Sequence, residues 1–287
     1  MVHPISKLLQ RQAPVIMGVL NLTPDSFSDG IPHAGLQTFV EKAEALIAEG
    51  ADIIDVGGES TRPHAESVTL DEEKKRVLPF LEKFRKKFPA FPLSLDTKKY
   101  GLALDAVKYT VHILNDVSFL SDPRMLELAL QHDCYYILMH SRGDAQTMMN
   151  ETAYPQGVVD TMMDEINARL TVIKKTKLFP DRVILDLGFG FAKTPDQCVV
   201  LMNNLDVWQK YHLPLLLGIS RKRFLQKYTG ENAPHERDII SAQLALKACG
   251  AGFKIIRTHN VKMTREYLNN HRQTLTPMDF SDCAVCH

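Results

Sequence analysis

Eight short apolar runs, separated by amphipathic stretches, set the strongest limit on what this chain can fold into. The runs cover residues 15–20, 53–56, 93–95, 112–114, 135–139, 183–185, 215–219 and 253–256, and each ends in polar or glycine residues. Runs this short do not make free-standing helices and match strands buried on both faces. Between them, residues 36–49, 70–88, 99–109, 123–131, 158–177, 196–211, 236–249 and 261–270 carry apolar side chains at three- and four-residue spacing, the pattern of one-sided helices. Asp122-Pro123 marks a helix start, and Gly50 and Gly250 fall just past helix ends. Such alternation calls for parallel strands joined by right-handed helical crossovers. Eight units without a linker predict an α/β fold, a single closed (β/α)8 TIM barrel rather than a doubly wound sheet. The 287 residues suit that fold, for which about 250 is typical. A chain of this length can bury roughly three-quarters of its unfolded surface without a disulfide or structural metal.

Charge and composition narrow the function. The chain has 34 basic and 34 acidic side chains and no formal net charge, whereas nucleic-acid binders carry a basic excess. No apolar run approaches the roughly 18–20 residues that span a bilayer, which argues against a membrane partner. Residues 1–12 lack the apolar core of a secretory signal. Five cysteines in no plausible disulfide framework fit a reducing compartment, so a cytoplasmic enzyme is expected. Residues 1–13 read as an N-terminal extension, 14–272 as the catalytic domain and 273–287 as a flexible tail.

A barrel of this kind carries its active site on the loops at the C-terminal ends of the strands. Asn21, Asp55, Asp96, Asn115, Asp186, Lys222, Arg257 and His259 all lie at or near such ends. One residue of this sort is most simply a helix N-cap; so many on one rim point to chemistry. The first loop, from Asn21 to Gly30, is long, rich in hydroxyls and turn formers, and carries an aromatic, Phe27. The second, from Gly57 to Pro63, combines glycines that let backbone amides approach an anion with Arg62.

Taken together, these segments resemble the dihydropteroate synthase family. The matches are MGVLNLTPDSFSDG at 17–30, GADIIDVGGESTRP at 50–63, SLDT at 94–97, ILNDVS at 113–118, LMHSRG at 138–143, ILDLGFGFAKT at 184–194, LLLGISRKRFL at 215–225 and IIRTHNV at 255–261. They run in order through about residues 14–270, one at each strand end. The resemblance implies a TIM barrel that joins 6-hydroxymethyl-7,8-dihydropterin diphosphate to 4-aminobenzoate. Diphosphate is released, and 7,8-dihydropteroate enters folate synthesis. It also implies a homodimer, a requirement for Mg²⁺ and sensitivity to sulfonamides, which imitate 4-aminobenzoate.

By this resemblance Asp96, Asn115, Asp186 and Lys222 bind the pterin edge while Met139 and Phe191 pack its ring. Side-chain chemistry agrees, since carboxylates accept from the amino group and ring N–H, an amide both donates and accepts, and an ammonium donates. Asn21, Thr61, Arg257 and His259 form the implied diphosphate site, and Asn21 contacts the Mg²⁺. Phe27, Thr61, Arg62, Pro63, Ser220 and Lys222 line the implied aminobenzoate pocket, which forms as the first two loops close. Those loops, 21–33 and 58–65, are expected to be mobile without ligand. The implied mechanism is dissociative, with Asp96, Asp186 and Lys222 as its catalytic side chains. Diphosphate leaves before the amine attacks, and Asp96 and Asp186 stabilise the pterin cation. No strong general base is required, which fits the lack of any Ser-His-Asp or Cys-His arrangement.

Two positions depart from the family pattern. His64 follows Pro63 where glycine is usual, and Leu187 follows Asp186 where proline is usual, which is expected to loosen the hold on Asp186. The terminal Cys283-Ala284-Val285-Cys286-His287 matches a haem-attachment pattern but reads as a tail with free thiols. Met162-Met163 and Trp208 read as packing residues, Met148-Met149 as loop. Two other readings share the barrel: a pterin-dependent methyltransferase and a non-catalytic pterin-binding paralogue. The SRK and RTH segments and the long first loop favour a diphosphate-bearing substrate over the first. Asn21, Lys222, Arg257 and His259 argue against the second.

Overall fold

The computed structural model describes residues 2–23, 35–60, 66–230 and 233–271. Its eight strands are β1 (Val15–Asn21), β2 (Ile53–Gly57), β3 (Leu93–Asp96), β4 (Ile113–Asp116), β5 (Tyr135–Met139), β6 (Val183–Asp186), β7 (Leu215–Leu217) and β8 (Ile255–Thr258). All pair in parallel with their sequence neighbours, and β8 pairs with β1 to close the barrel. The helices are α1 (Pro4–Leu9), α2 (Leu36–Ala48), α3 (Leu70–Lys87), α4 (Tyr100–Ala106), α5 (Arg124–Gln131), α6 (Val158–Ile173), α7 (Pro195–Asn203), α8 (Gln226–Thr229), α9 (Asp238–Gly250) and α10 (Val261–Asn270).

Period-two alternation along each strand divides the apolar residues into two cores. Val15, Met17, Ile53, Ile113, Tyr135, Ile137, Ile184, Leu216 and Ile255 pack with one another inside the barrel. Their strand neighbours, among them Ile54, Leu114, Leu138, Leu185, Leu217 and Ile256, pack outward against the helices. The segment expected as an N-terminal extension supplies α1, whose Ile5 and Leu8 join the inner core. Its Ser6 hydroxyl lies 2.8 Å from the Tyr135 hydroxyl.

The helix ends follow their local chemistry. Thr69 caps α3 by accepting from the Glu72 N–H, acidic residues 71–73 occupy its first turn, and Arg85, Lys86 and Lys87 its last, all complementing the helix dipole. Thr194 and Gln197 form a reciprocal capping box on α7, with Pro195 in the first turn. Two helical patterns end or break earlier than the sequence predicts, and a third changes pitch before its end. The 196–211 pattern breaks after Asn203, where the Asn204 amide turns back to donate to the Val200 carbonyl at 2.8 Å; Trp208 falls on the 3-10 turn that follows. The 158–177 pattern ends at Ile173, whose carbonyl accepts from the Thr176 hydroxyl at 2.7 Å. The 99–109 pattern tightens into a 3-10 turn at Val107–Tyr109 and stops at Thr110, which has a left-handed backbone.

Six strands run further than their apolar runs, β1 and β2 by one residue each, to Asn21 and Gly57. Asn115 and Asp116 belong to β4, Asp96 to β3, Asp186 to β6, and Arg257 and Thr258 to β8. The parallel ladder sets this, pairing Asp96 with Asn115, Asn115 with Ile137, Met139 with Asp186 and Met17 with Arg257. Asp96, Asn115, Asp186 and Arg257 therefore continue the inward-facing rows as a layer above the inner apolar core, while Asp116 and Thr258 face outward to Tyr136 and to Thr264 of α10.

At the end of the barrel away from these groups, His112 accepts from the Leu93 N–H at 3.2 Å through Nδ1. Burial, with Arg85 and His3 nearby, pulls its pKa down to about 4. A histidine held neutral in the fold stabilises it fully above its unfolded pKa near 6.5 and progressively less as pH falls toward 4. Unfolding free energy should therefore drop over that interval by up to about 1.4 kcal/mol per pH unit from this residue. His112→Asn should flatten the limb in denaturant titrations, and an unchanged slope would remove His112 as its source.

Candidate active site

The polar layer inside the barrel mouth is built around Arg257. Its Nε donates to Asp55 at 2.7 Å and its Nη2 to Asp96 at 2.8 Å, joining β8 to β2 and β3. Asn115 donates through Nδ2 to both Asp55 oxygens, at 3.2 and 3.4 Å. The carboxylate can only accept, so it fixes which way the amide points. That leaves Asn115 Oδ1 buried with no hydrogen-bond partner among the described residues. Asp55 was legible as a strand-end acid but had no assigned role; in the fold it supports Arg257 and Asn115 together. Asp96, for which an N-cap was the plain alternative, caps nothing, since α4 has Lys99 at its N-cap position.

Across the mouth, Asp186 closes β6. Its carboxylate accepts from the Gly188 N–H at 2.8 Å and its carbonyl from the His140 N–H at 2.9 Å. The Leu187 side chain is buried in the outer core, and the Gly188 N–H holds the Asp186 carboxylate. Lys222, after β7, donates to the Phe189 carbonyl and sits 4.5 Å from the centre of the Phe191 ring. Met139 ends β5 beside Asp186 in the ladder. Ser220 and His259 meet at the ends of β7 and β8, where the Ser220 Oγ accepts from the His259 N–H at 3.1 Å and lies 3.0 Å from its Nδ1. Asn21, the last residue of β1, pairs with Gly57.

Buried charge governs the electrostatics. Burial pushes the Asp96 carboxyl above its usual range; Arg257 pulls it back and Asp55 adds to the rise. Burial raises Asp186 as well, against Lys222 and the Gly188 N–H. Burial draws Lys222 down to about 8, while Asp186 acts to keep its proton. Burial also works against the Arg257 charge, but Asp55 and Asp96 outweigh it and hold the guanidinium protonated. Three carboxylates and two cations thus share a site that water reaches poorly, where each hydrogen bond to a ligand counts for more than at a surface.

Beside this layer is a cavity of about 360 Å³, lined among others by Asp96, Thr97, Ser118, Ser141, Met148 and Phe191. Thr97 and Lys99 tie Glu73 of α3 to the rim at 3.1 and 2.6 Å, and Lys99 also binds Glu59 at the foot of the second loop. His140, Lys193 and Glu59 fall within the matched segments at 138–143, 184–194 and 50–63, but neither they nor Glu73 and Lys99 carry an assigned role in the sequence. The only available signals were charged residues close behind strand ends, which surface loops show equally well. Arg221, in the SRK segment, faces away from the mouth and pairs with Asp238 of α9 through two bonds of 2.9 Å. Phe27, Thr61, Arg62, Pro63 and His64 lie outside the described residues, as do most of both loops and the tail from residue 272. No group of three or more His, Cys, Asp or Glu side chains among the described residues could hold a metal.

Gly188 sits at φ 61°, and a Cβ there would lie 1.9 Å from the His140 carbonyl oxygen. Gly188→Ala should cost about 2–4 kcal/mol through strain and displacement of the turn. Wild-type stability in denaturant unfolding would refute that close approach.

Residues 17–259 match the family of pterin binding enzymes. The dihydropteroate synthase of Synechocystis is 38% identical over 248 residues, covering 86% of this chain and 85% of that one. Among solved structures, the Yersinia pestis dihydropteroate synthase in complex with a sulfonamide drug superposes with a TM-score of 0.84 at 34% identity, over 93% of this chain and 95% of that one. The Xanthomonas albilineans dihydropteroate synthase with 4-aminobenzoic acid also gives 0.84, at 33% identity over 93% and 94%. Sequence, barrel and the shared strand-end motifs agree: the chain belongs to the pterin binding enzyme family as one of its dihydropteroate synthases, transferases of folate synthesis.

Proposed function

We propose that the chain joins the 7,8-dihydropterin diphosphate to 4-aminobenzoate by a dissociative substitution at the barrel mouth. The observation that carries the pterin site is the unsatisfied Asn115 Oδ1 at a mouth that also holds buried Asp96, Asp186 and Lys222. A pterin edge offers N–H donors to Asn115, Asp96 and Asp186 and an acceptor to Lys222. Phe191 and Met139 supply apolar surface for the ring. The C–O bond to diphosphate breaks first, and its electron pair leaves with the oxygen. The cation left behind is delocalised over the pterin, where Asp96 and Asp186 stabilise it. The aromatic amine then forms the C–N bond and loses a proton to solvent.

Arg257 commits Nε and Nη2 to carboxylates, and its Nη1 has no hydrogen-bond partner among the described residues, which suits a diphosphate oxygen. His259 and Asn21 stand on neighbouring strand ends, and Thr61 completes the anion site by family pattern. The Asn21 amide likewise has no partner among the described residues. One amide with phosphate oxygens and water suits Mg²⁺, which rarely takes an all-protein cage. When bound, Mg²⁺ would neutralise charge on the departing diphosphate. By family pattern Phe27, Thr61, Arg62 and Pro63, which lie outside the described residues, join Ser220 and Lys222 on the aminobenzoate side, where sulfonamides would compete. Assembly as a homodimer rests on the family pattern. A cytosolic setting rests on the cysteines, of which Cys134, Cys198 and Cys249 are free thiols in the described residues.

The direct test mixes purified protein with the dihydropterin diphosphate, labelled 4-aminobenzoate and Mg²⁺ and follows labelled dihydropteroate. Product that depends on diphosphate and metal is expected; metal-independent turnover would overturn the Mg²⁺ role. Lys222→Ala should lower turnover roughly 100-fold or more with the fold intact, and near-normal turnover would take lysine out of the site. Arg257→Ala should weaken binding of the dihydropterin diphosphate more than that of the pterin alcohol. Equal weakening would mean that Arg257 serves only Asp55 and Asp96.

A further inference from the structure

Beneath the loop that carries Phe191 lies a buried charge chain that the proposed chemistry does not use. Lys193 is 2% exposed, and its Nζ lies 2.9 Å from His140 Nδ1, 3.0 Å from the Gly188 carbonyl and 2.9 Å from the Phe191 carbonyl. His140 Nε2 lies 2.7 Å from Glu165 of α6. Burial works to raise the Glu165 pKa, but hydrogen bonds from His140 and Arg142 overcome it and hold the carboxyl at about 2. Glu165 therefore accepts only, and Nε2 carries the imidazole proton. Burial and Lys193 pull His140 down to about 3, so the ring is neutral and Nδ1 accepts. Burial draws Lys193 down to about 7, and in its ammonium form its three donors meet three acceptors within 3.0 Å, with the His140 carbonyl further off at 3.5 Å. Arg142 completes the chain at the rim, bound to Glu165 at 2.5 Å and stacked 4.0 Å from the Tyr154 ring.

What Lys193 holds is the floor of the mouth. Gly188 donates its N–H to Asp186 and offers its carbonyl to Lys193, so one residue links the two. The Phe191 N–H closes the turn onto the same Gly188 carbonyl at 3.0 Å, and the Phe191 ring lies under Lys222. We infer that Lys193, oriented by His140, Glu165 and Arg142, is a positioning residue that fixes the turn at residues 188–191 and with it the pterin contacts of Asp186 and Phe191. This rests on the reading that Asp186 and Phe191 wall the pterin site. Leu187 and Phe189 also anchor the turn by burial in the outer core. Packing of that kind would survive loss of a charge at the far end of the chain, whereas positioning through the chain would not.

The test compares Lys193→Met, Glu165→Ala, Glu165→Gln and Lys222→Ala in steady-state kinetics and in calorimetric titration with the dihydropterin diphosphate. Lys193→Met and Glu165→Ala should raise its KM and Kd roughly 10- to 100-fold, the scale for a small misplacement of binding groups. The KM for 4-aminobenzoate should stay unchanged. Glu165→Gln still accepts from Nε2–H and should recover most of the loss. If Lys193→Met fails to fold, the Glu165 pair decides. Normal pterin affinity in the Lys193 and Glu165 variants beside a defective Lys222→Ala overturns the inference alone. So does a parallel rise in both KM values with a lowered melting temperature. Normal pterin affinity in Lys222→Ala removes the pocket reading, and the inference falls with it.

Discussion

One buried guanidinium organises the working end of this barrel. Arg257 reaches from the last strand to carboxylates on the second and third, and Asp55 passes the restraint on to Asn115 of the fourth. Isolated buried carboxylates would carry a large desolvation cost, and two of them side by side would repel. The arginine makes the pair tolerable, so polar side chains can continue the inward rows of an apolar barrel. A protein that only needed a stable core would gain by filling this layer with hydrocarbon. Keeping charge there makes sense for a site that must recognise a polar heterocycle away from water.

The opposite half of the mouth is held by backbone geometry. Gly188 approaches the His140 carbonyl more closely than any side chain allows, and its turn aims its N–H at Asp186. Lys193 grips the same turn from below and Lys222 from above. The two lysines differ in their surroundings: Lys193 is enclosed by carbonyls and an imidazole, while Lys222 shares an aromatic face and the field of Asp186 with the mouth. The same side-chain type is enclosed under a turn in one place and exposed to the field of the mouth in the other.

The strand-end motifs named most of the polar residues that the fold gathers at the barrel mouth. Asp96, Asn115, Asp186, Lys222 and Arg257 come together as their positions along a parallel barrel require, since eight parallel strands place all their C-terminal ends on one rim. Boundaries were less legible. Apolar runs stop where polarity begins, but a ladder bonds through the backbone and continues through Asn115 and Arg257 regardless of side chain. Asn204 and Thr176 ended helices early because a short side chain can bond a nearby carbonyl, a choice that periodicity does not register.

By itself the sequence determined the closed α/β barrel, the rim that bears the chemistry and the family to which the chain belongs, because each is written in local pattern and order. Only the tertiary structure decided which partners those residues take. It set Asp55 to support both Arg257 and Asn115, turned Arg221 outward to Asp238, drew α1 into the inner core, and joined Lys193 to Glu165 through His140. Those pairings span up to about 200 residues of chain and depend on distances of a few ångströms, which strand register and helix packing fix and local pattern does not encode.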